Sequence, residues 1–282
     1  MLGAAPALSC GSTGSGVGAP GDFERTLKIF ADDLPRGLDL SWRGVAADPA
    51  TGKHTIEGVK LLADKTEYDL GTVLISDVHE QNGKVCGMTI DFPKRSYGTA
   101  AGGAKDNWSP ATVARTLGYD SVSASFRIVY DFDPEARTLS ATLTAQADQL
   151  GDSELKLLVG HISPQMTHVA VEQLRWWFKD AGAVDRALYV LEREHQLDAG
   201  GGSGRAGDGL AAMAKDLAGL LGVANGAPTI EQALRQHRPL VLHNTGKADV
   251  DDIGYGVVSL IFGDADKQRK ISSALHLQVS AE

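Results

Sequence analysis

The sequence predicts an α+β protein, a strongly twisted and curved antiparallel β-sheet laid out as a meander of hairpins, with helices packed on its concave face. Two observations carry the sheet and a third carries the helices. In "SVSASFRIVYDF" every even position from Val122 to Phe132 is apolar or aromatic, and in "RTLSATLTAQAD" every odd position from Leu139 to Ala147 is apolar. A period of two on either side of Asp133-Pro134 is the pattern of a hairpin with one face on a core and one in water. The alternation breaks at Gly58 and again at Glu172-Gln173, where bulges are expected to bend the sheet. From Asp180 onward the apolar residues are spaced by three and four, which is helical.

The elements follow in chain order. In "DFERTLKIFADDL", Phe23, Leu27, Phe30 and Leu34 share one helical face, with Asp22 placed to cap it. Leu38, Leu40 and Trp42 alternate up to the turn residues Asp48-Pro49 and Gly52, and Ile56, Val59 and Leu61 return on a second strand. "TVLISDVHEQNGKVCGMTIDF" is a second hairpin turning at Asn82-Gly83. Residues 93 to 109 are rich in Gly, Lys and Ser without a period and predict a loop, after which Ser109-Pro110 opens a short helix through Leu117. Beyond the central hairpin, "ELKLLVGHI" and "THVAVEQLRWWF" complete a meander of seven or eight strands. "DAGAVDRALYVLEREHQ" and "LAAMAKDLAGLL" are then helical, and Thr229 with Gln232 makes a capping box for "IEQALRQH" before Pro239. "LVLHN" and "SALHLQV" predict strands that return to the sheet, and "IGYGVVSLIF" fits either period. The expected organisation is a flexible tether over 1–21, an N-terminal helix and antiparallel sheet over 22–180, and a helical segment with returning strands over 181–282.

Composition bounds the partners. The 282 residues are 43% apolar and 22% charged, which suits a water-soluble globular body, and 27 Lys and Arg against 36 Asp and Glu leave a formal charge of −9. With Lys94-Arg95 as the longest basic run, the chain has no footprint for nucleic acid, and its acidic surface argues against docking on anionic lipid by charge. No apolar run is long enough to cross a bilayer as a helix.

Two cysteines lie in different contexts. Cys86 alternates with Met88, Ile90 and Phe92 and reads as a small buried side chain. Cys10 stands between the apolar stub "MLGAAPALS" and the Gly/Ser tether "GSTGSGVGAPG", the order found around the processing site of a bacterial lipoprotein, and is the lipidation candidate. A full signal would carry basic residues, a longer apolar stretch and Leu where Ala7 stands, so a disordered tail is the competing reading.

Motifs for chemistry are sparse. No phosphate-binding loop, G-x-S-x-G elbow or H-E-x-x-H pair occurs. The eight histidines have no ligand spacing, although His161 and His168 fall on adjacent predicted strands, and "DVDDIG" at 249–254 lacks the order of a calcium loop and reads as a solvated loop. No metal, cofactor or catalytic residue is therefore assigned. Asp131 and Asp133 flank the central turn, where they are expected to cap backbone groups. Trp176-Trp177 is the most informative pair, because neighbours on a strand face opposite ways. One indole should enter the core and the other reach the opposite face: if the C-terminal helices cover that face both are packing, and if it is open it would hold an acyl chain or a partner segment. Trp42, Trp176, Trp177 and Phe178 are the candidate ligand-binding residues.

The runs "WRGVAADPATGKHTIEGVKL", "YDFDPEARTLSATLTAQADQLGDSELKLLVGHIS" and "WWFKDAGAVDRAL" resemble stretches of uncharacterised proteobacterial envelope proteins of the AsmA-like and YdgA-like kind. The resemblance implies a periplasmic or membrane-associated setting and the handling of lipids or support of the envelope. The resulting expectation is a non-enzymatic exported protein, periplasmic or tethered through Cys10, that binds a hydrophobic small molecule such as lipid, or an envelope protein. A hydrolase assembled from His161, His168, His243, Asp131 and Asp249 is the alternative from another class. An oligomeric structural module pairing through sheet edges is a third.

Overall fold

The alternating runs pair as antiparallel strands in the computed structural model, which describes residues 20–32, 38–48, 50–63, 66–81, 84–98, 115–162, 168–198, 206–251 and 274–282. The strands are β1 (Leu38–Ser41), β2 (Gly44–Asp48), β3 (Lys53–Ala63), β4 (Thr66–Gln81), β5 (Lys84–Gly98), β6 (Ser121–Asp133), β7 (Thr138–Ala147), β8 (Gly151–Gly160), β9 (His168–Asp180), β10 (Leu240–Asn244), β11 (Ala248–Asp251) and β12 (Leu277–Ala281). They are hydrogen-bonded in the order β1-β3-β4-β5-β6-β7-β8-β9-β10-β12, with β2 also on β3 and β11 on β9. The helices are α1 (Pro20–Asp32), α2 (Ala183–Asp198), α3 (Ala206–Leu220) and α4 (Ala227–Arg235), the last entered through a 3₁₀ turn at Ala224–Gly226. The α+β class and the antiparallel meander expected from the sequence are thus present. Contacts divide the chain into two compact units, Met1–Pro93 with Ser125–Leu143, and Lys94–Ala124 with Thr144–Glu282.

In the first unit, α1 places Phe23 and Leu27 one turn apart, and both bury, at 7% and 6% exposure. They pack with Ile56, Val59, Val73, Ile75 and Met88 of β3, β4 and β5 in one apolar core. The helix begins two residues before Asp22, so this residue falls within its first turn and not at the cap position, and Pro20 heads the helix where its missing N–H costs nothing. The first predicted strand is interrupted at Trp42-Arg43, and both halves pair with β3. The expected bulge at Gly58 is present. The β3–β4 register shifts between Ile56 and Val59, and Gly58 has φ +61°, with the Arg43 side chain occupying the space a Cβ would fill. Only glycine meets both demands without strain.

In the second unit, α2, α3 and α4 cover one face of β9, β10 and β12. Their shared core holds Leu210, Ala214, Ile230, Ala233, Leu240 and Leu242, none more than 5% exposed. The second expected bulge is also present, at Glu172: Leu158 pairs with Gln173 while Val159 pairs with Val171, leaving Glu172 without an opposite residue. Asn244 pins it. The Leu174 N–H donates to Asn244 Oδ1 at 2.7 Å, and Asn244 Nδ2 donates to the carbonyls of Gly246 at 2.6 Å and Glu172 at 3.4 Å.

Several expectations are corrected. β5 runs on through Pro93 to Gly98, where a loop was expected; Arg95 and Tyr97 alternate into partial burial, with the guanidinium 5.5 Å from the ring centroid. Residues 249–251, read as part of a solvated loop, belong to β11, because Ala-Asp-Val-Asp alternates and pairs with Val171 to His168 of β9. The capping box at Thr229 and Gln232 does not form: α4 starts at Ala227 behind Gly226, without a side-chain cap and with Pro228 in its first turn. The Asn82-Gly83 turn, the segment "IGYGVVSLIF", the tether up to residue 19 and most of the helix predicted over 109–117 lie outside the described residues.

Candidate functional site

The central hairpin shows what its pattern does and does not bury. The turn of residues 134–137 is closed by Asp133, whose Oδ1 accepts from the N–H groups of Glu135 (2.8 Å) and Ala136 (2.9 Å). Asp131 is no cap: its Oδ1 is buried and, among the described residues, has no hydrogen-bond partner. On β6, Val122 and Ala124 are each 1% exposed, and Tyr130 joins the core of the first unit, where burial pushes its hydroxyl up to about 12. The rest of the apolar stripe stops short. Phe126, Ile128 and Phe132 on β6, and Leu139, Ala141 and Leu143 on β7, are all only partly buried, and no residue of β7 is fully buried. Val129, on the opposite face of β6, is 39% exposed.

The four aromatic candidates occupy different settings. Trp42 is partly buried against the core of the first unit. Trp176 and Trp177 do face opposite ways. Trp176 pairs with Leu155 and Leu242 and packs against the helix-covered core, its Nε1 donating to Ser153 Oγ at 2.7 Å. Phe178 stacks beside it with ring centroids 5.8 Å apart. Trp177 pairs with Glu154 and Val241 and lines an open hollow of about 370 Å³ with Gln146, Asp152, Glu154 and Arg175. Sequence reasoning located the two faces but missed the polar company of Trp177, since Asp152 and Gln146 come from other strands.

The scattered histidines and aspartates do not assemble visibly. His161 is exposed beyond the end of β8 with φ +53°, and His243 is partly buried opposite Arg175. The backbones of His168 and Asp249 lie in the paired strands β9 and β11, and their side chains are outside the described set. Among the described residues, no three His, Cys, Asp or Glu side chains come together to hold a metal.

Among the described residues, the buried histidine is one that sequence reasoning did not single out. His54 is 4% exposed and stacks on Phe23 with ring centroids 3.8 Å apart, its Nδ1 without a partner among the described residues. Removal from water holds this imidazole below its ordinary value, so it is neutral. Cys86 is 3% exposed, with Sγ 3.4 Å from the His79 carbonyl oxygen, and is not a free thiol. Cys10 lies outside the described residues. Among the described residues, no helix is long and apolar enough to cross a membrane.

Comparison of the sequence with models of known families and with curated proteins gives no match.

Proposed function

We propose that the protein is a non-enzymatic, exported protein of the periplasm or cell envelope that holds an apolar ligand, a lipid acyl chain, against the central hairpin. The proposed setting is a twisted, curved sheet with helices on its concave side, as in the AsmA-like and YdgA-like envelope proteins that the hairpin pattern resembles. The observation that carries the reading is the partly buried stripe of Phe126, Ile128, Phe132, Leu139 and Leu143. Elsewhere in the chain apolar strand residues are driven to full burial, as at Leu240, Val241 and Leu242, at 4%, 4% and 5% exposure. Each partly open side chain retains transfer free energy that a bound acyl chain would realise, at about 25 cal/mol per Å². Trp42 is the aromatic candidate that belongs to the same unit; Trp176 and Phe178 contribute to packing.

The test is binding of a fluorescent long-chain fatty acid to the delipidated full chain, alongside mass spectrometry of lipid extracted from the purified protein. Ile128→Glu combined with Leu143→Glu is expected to weaken binding at least tenfold, while Val129→Glu on the other face leaves it unchanged. Absence of extracted lipid together with no measurable binding, or equal binding by all three proteins, would overturn the reading.

A further inference from the structure

The hollow beside Trp177 in the second unit has no part in the acyl-chain reading. Three neighbouring strands build it, each giving two residues spaced by two and therefore on one face: Thr144 and Gln146 from β7, Asp152 and Glu154 from β8, Arg175 and Trp177 from β9. It is the face turned away from the helix-covered core, which Trp176 and Leu242 join. Glu154 stands directly opposite Trp177 in the β8–β9 register. Paired strands hold the six side chains in fixed positions, as a preorganised site requires.

We propose that this hollow binds a neutral saccharide, with the indole of Trp177 against one face of a sugar ring and the surrounding polar groups on its hydroxyls. The volume of about 370 Å³ lies at the small end of ligand pockets, which run from roughly 300 to 1,000 Å³. A mono- or disaccharide suits that space, and the open side lets a longer glycan continue out of it. A sugar hydroxyl both donates and accepts hydrogen bonds, so it needs both kinds of partner. The carboxylates of Asp152 and Glu154 accept, the Arg175 guanidinium donates, and the Gln146 amide and Thr144 hydroxyl do both. The apolar C–H face of a pyranose ring is slightly positive and matches the negative face of an indole.

The same lining selects against other ligands. An acyl chain would strip water from these polar groups and return no hydrogen bond. A phosphate would meet two carboxylates and one guanidinium, and that guanidinium is already engaged by Glu282 Oε1 at 2.8 Å and Glu154 Oε1 at 3.8 Å. An ammonium group would suit the carboxylates, but Glu154 Oε1 already takes Lys156 Nζ at 2.8 Å, with the Arg175 cation beside it. An uncharged polyhydroxyl ligand leaves this charge network intact and adds hydrogen bonds to it. The proposal does not depend on the apolar ligand: loss of fatty-acid binding with saccharide binding intact would sink only the function proposed above.

The experiment is saturation-transfer NMR on the full chain with cellobiose, maltose and di-N-acetylchitobiose as probes at millimolar concentration. At least one of the three is expected to receive saturation, and to keep it when equimolar inorganic phosphate or tetramethylammonium is added. Trp177→Ala should weaken that binding at least tenfold, and Asp152→Ala and Gln146→Ala severalfold, while Ile128→Glu combined with Leu143→Glu leaves it unchanged. Gln146 and Asp152 are exposed, so their variants keep the fold and decide the matter should Trp177→Ala fail to fold. Affinity that rises along the series from disaccharide to hexasaccharide identifies a polymer as the source; equal affinity identifies a free sugar. Saturation of none of the three probes, displacement by phosphate or tetramethylammonium, or undiminished binding by the variants of Trp177, Asp152 and Gln146 would each overturn the proposal.

Discussion

β7 and β10 carry the same kind of sequence and meet different fates. β7 alternates apolar residues and β10 opens with three in a row, and both pair on two sides. Yet Leu240, Val241 and Leu242 of β10 are all buried, whereas every apolar residue of β7 is only partly so. The difference lies in what covers them. Leu240 and Leu242 meet α3 and α4 in a core that contains Ile230 and Ala233 at 0% exposure. Alternation decides which face a side chain joins, and distant elements decide whether that face is closed.

The largest expected effect breaks the closed region. Ile230→Ala should cost about 3 to 4 kcal/mol in denaturant unfolding, since the emptied space is surrounded by rigid packing. The matching change in the open region, Leu143→Ala, should cost about 1 kcal/mol or less, because water already reaches part of that side chain. Equal losses at the two sites would erase the contrast.

The next effect in size concerns the bulge beside β10. Asn244→Ala leaves the Leu174 N–H without its acceptor and should cost about 2 kcal/mol; chemical-shift changes confined to residues around Glu172 and Leu174 would place the damage. Gly58→Ala should cost about 1 to 2 kcal/mol, from the positive φ and from displacement of Arg43. A neutral result would mean that β3 straightens without penalty.

A subtler effect is set by pH. His54 is kept neutral in the folded state, its value lying below the ordinary 6.5. The unfolded chain therefore binds more protons at this position, so stability is full above about 6.5 and declines as pH falls below it. His54→Gln should flatten that decline in a series of unfolding curves, with hydrogen exchange in α1 reporting the local loosening first. An unchanged slope would mean that another group governs the acid limb.

Much of this architecture was legible in the residue order, for physical reasons. A bulge must shift the phase of alternation, so Gly58 and Glu172 announced themselves. The opposed indoles of Trp176 and Trp177 followed from strand geometry alone. Features settled by non-local partners were hidden. The extension of β5 through Pro93, Lys94 and Ser96 looks like a loop in isolation, and β11 is short and acidic. The capping box failed because the preceding 3₁₀ turn and Pro228 started α4 earlier. The partial burial of Leu139 and Leu143, on which the proposed site rests, depends on cover that no local pattern encodes. The burial of His54 was likewise invisible, as its stacking partner Phe23 lies far away in sequence.

The pinned irregularity at Glu172 makes the strand unusually forgiving at one position. Since Gln173 faces Leu158 and Val171 faces Val159, excising Glu172 would join two stretches already in step, and each neighbour would keep its side of the sheet. Excising Arg175 instead would turn the chain over and exchange Leu174 for Gln173 against the core. Length variation among descendants of this gene should accumulate at the first place and be purged from the second.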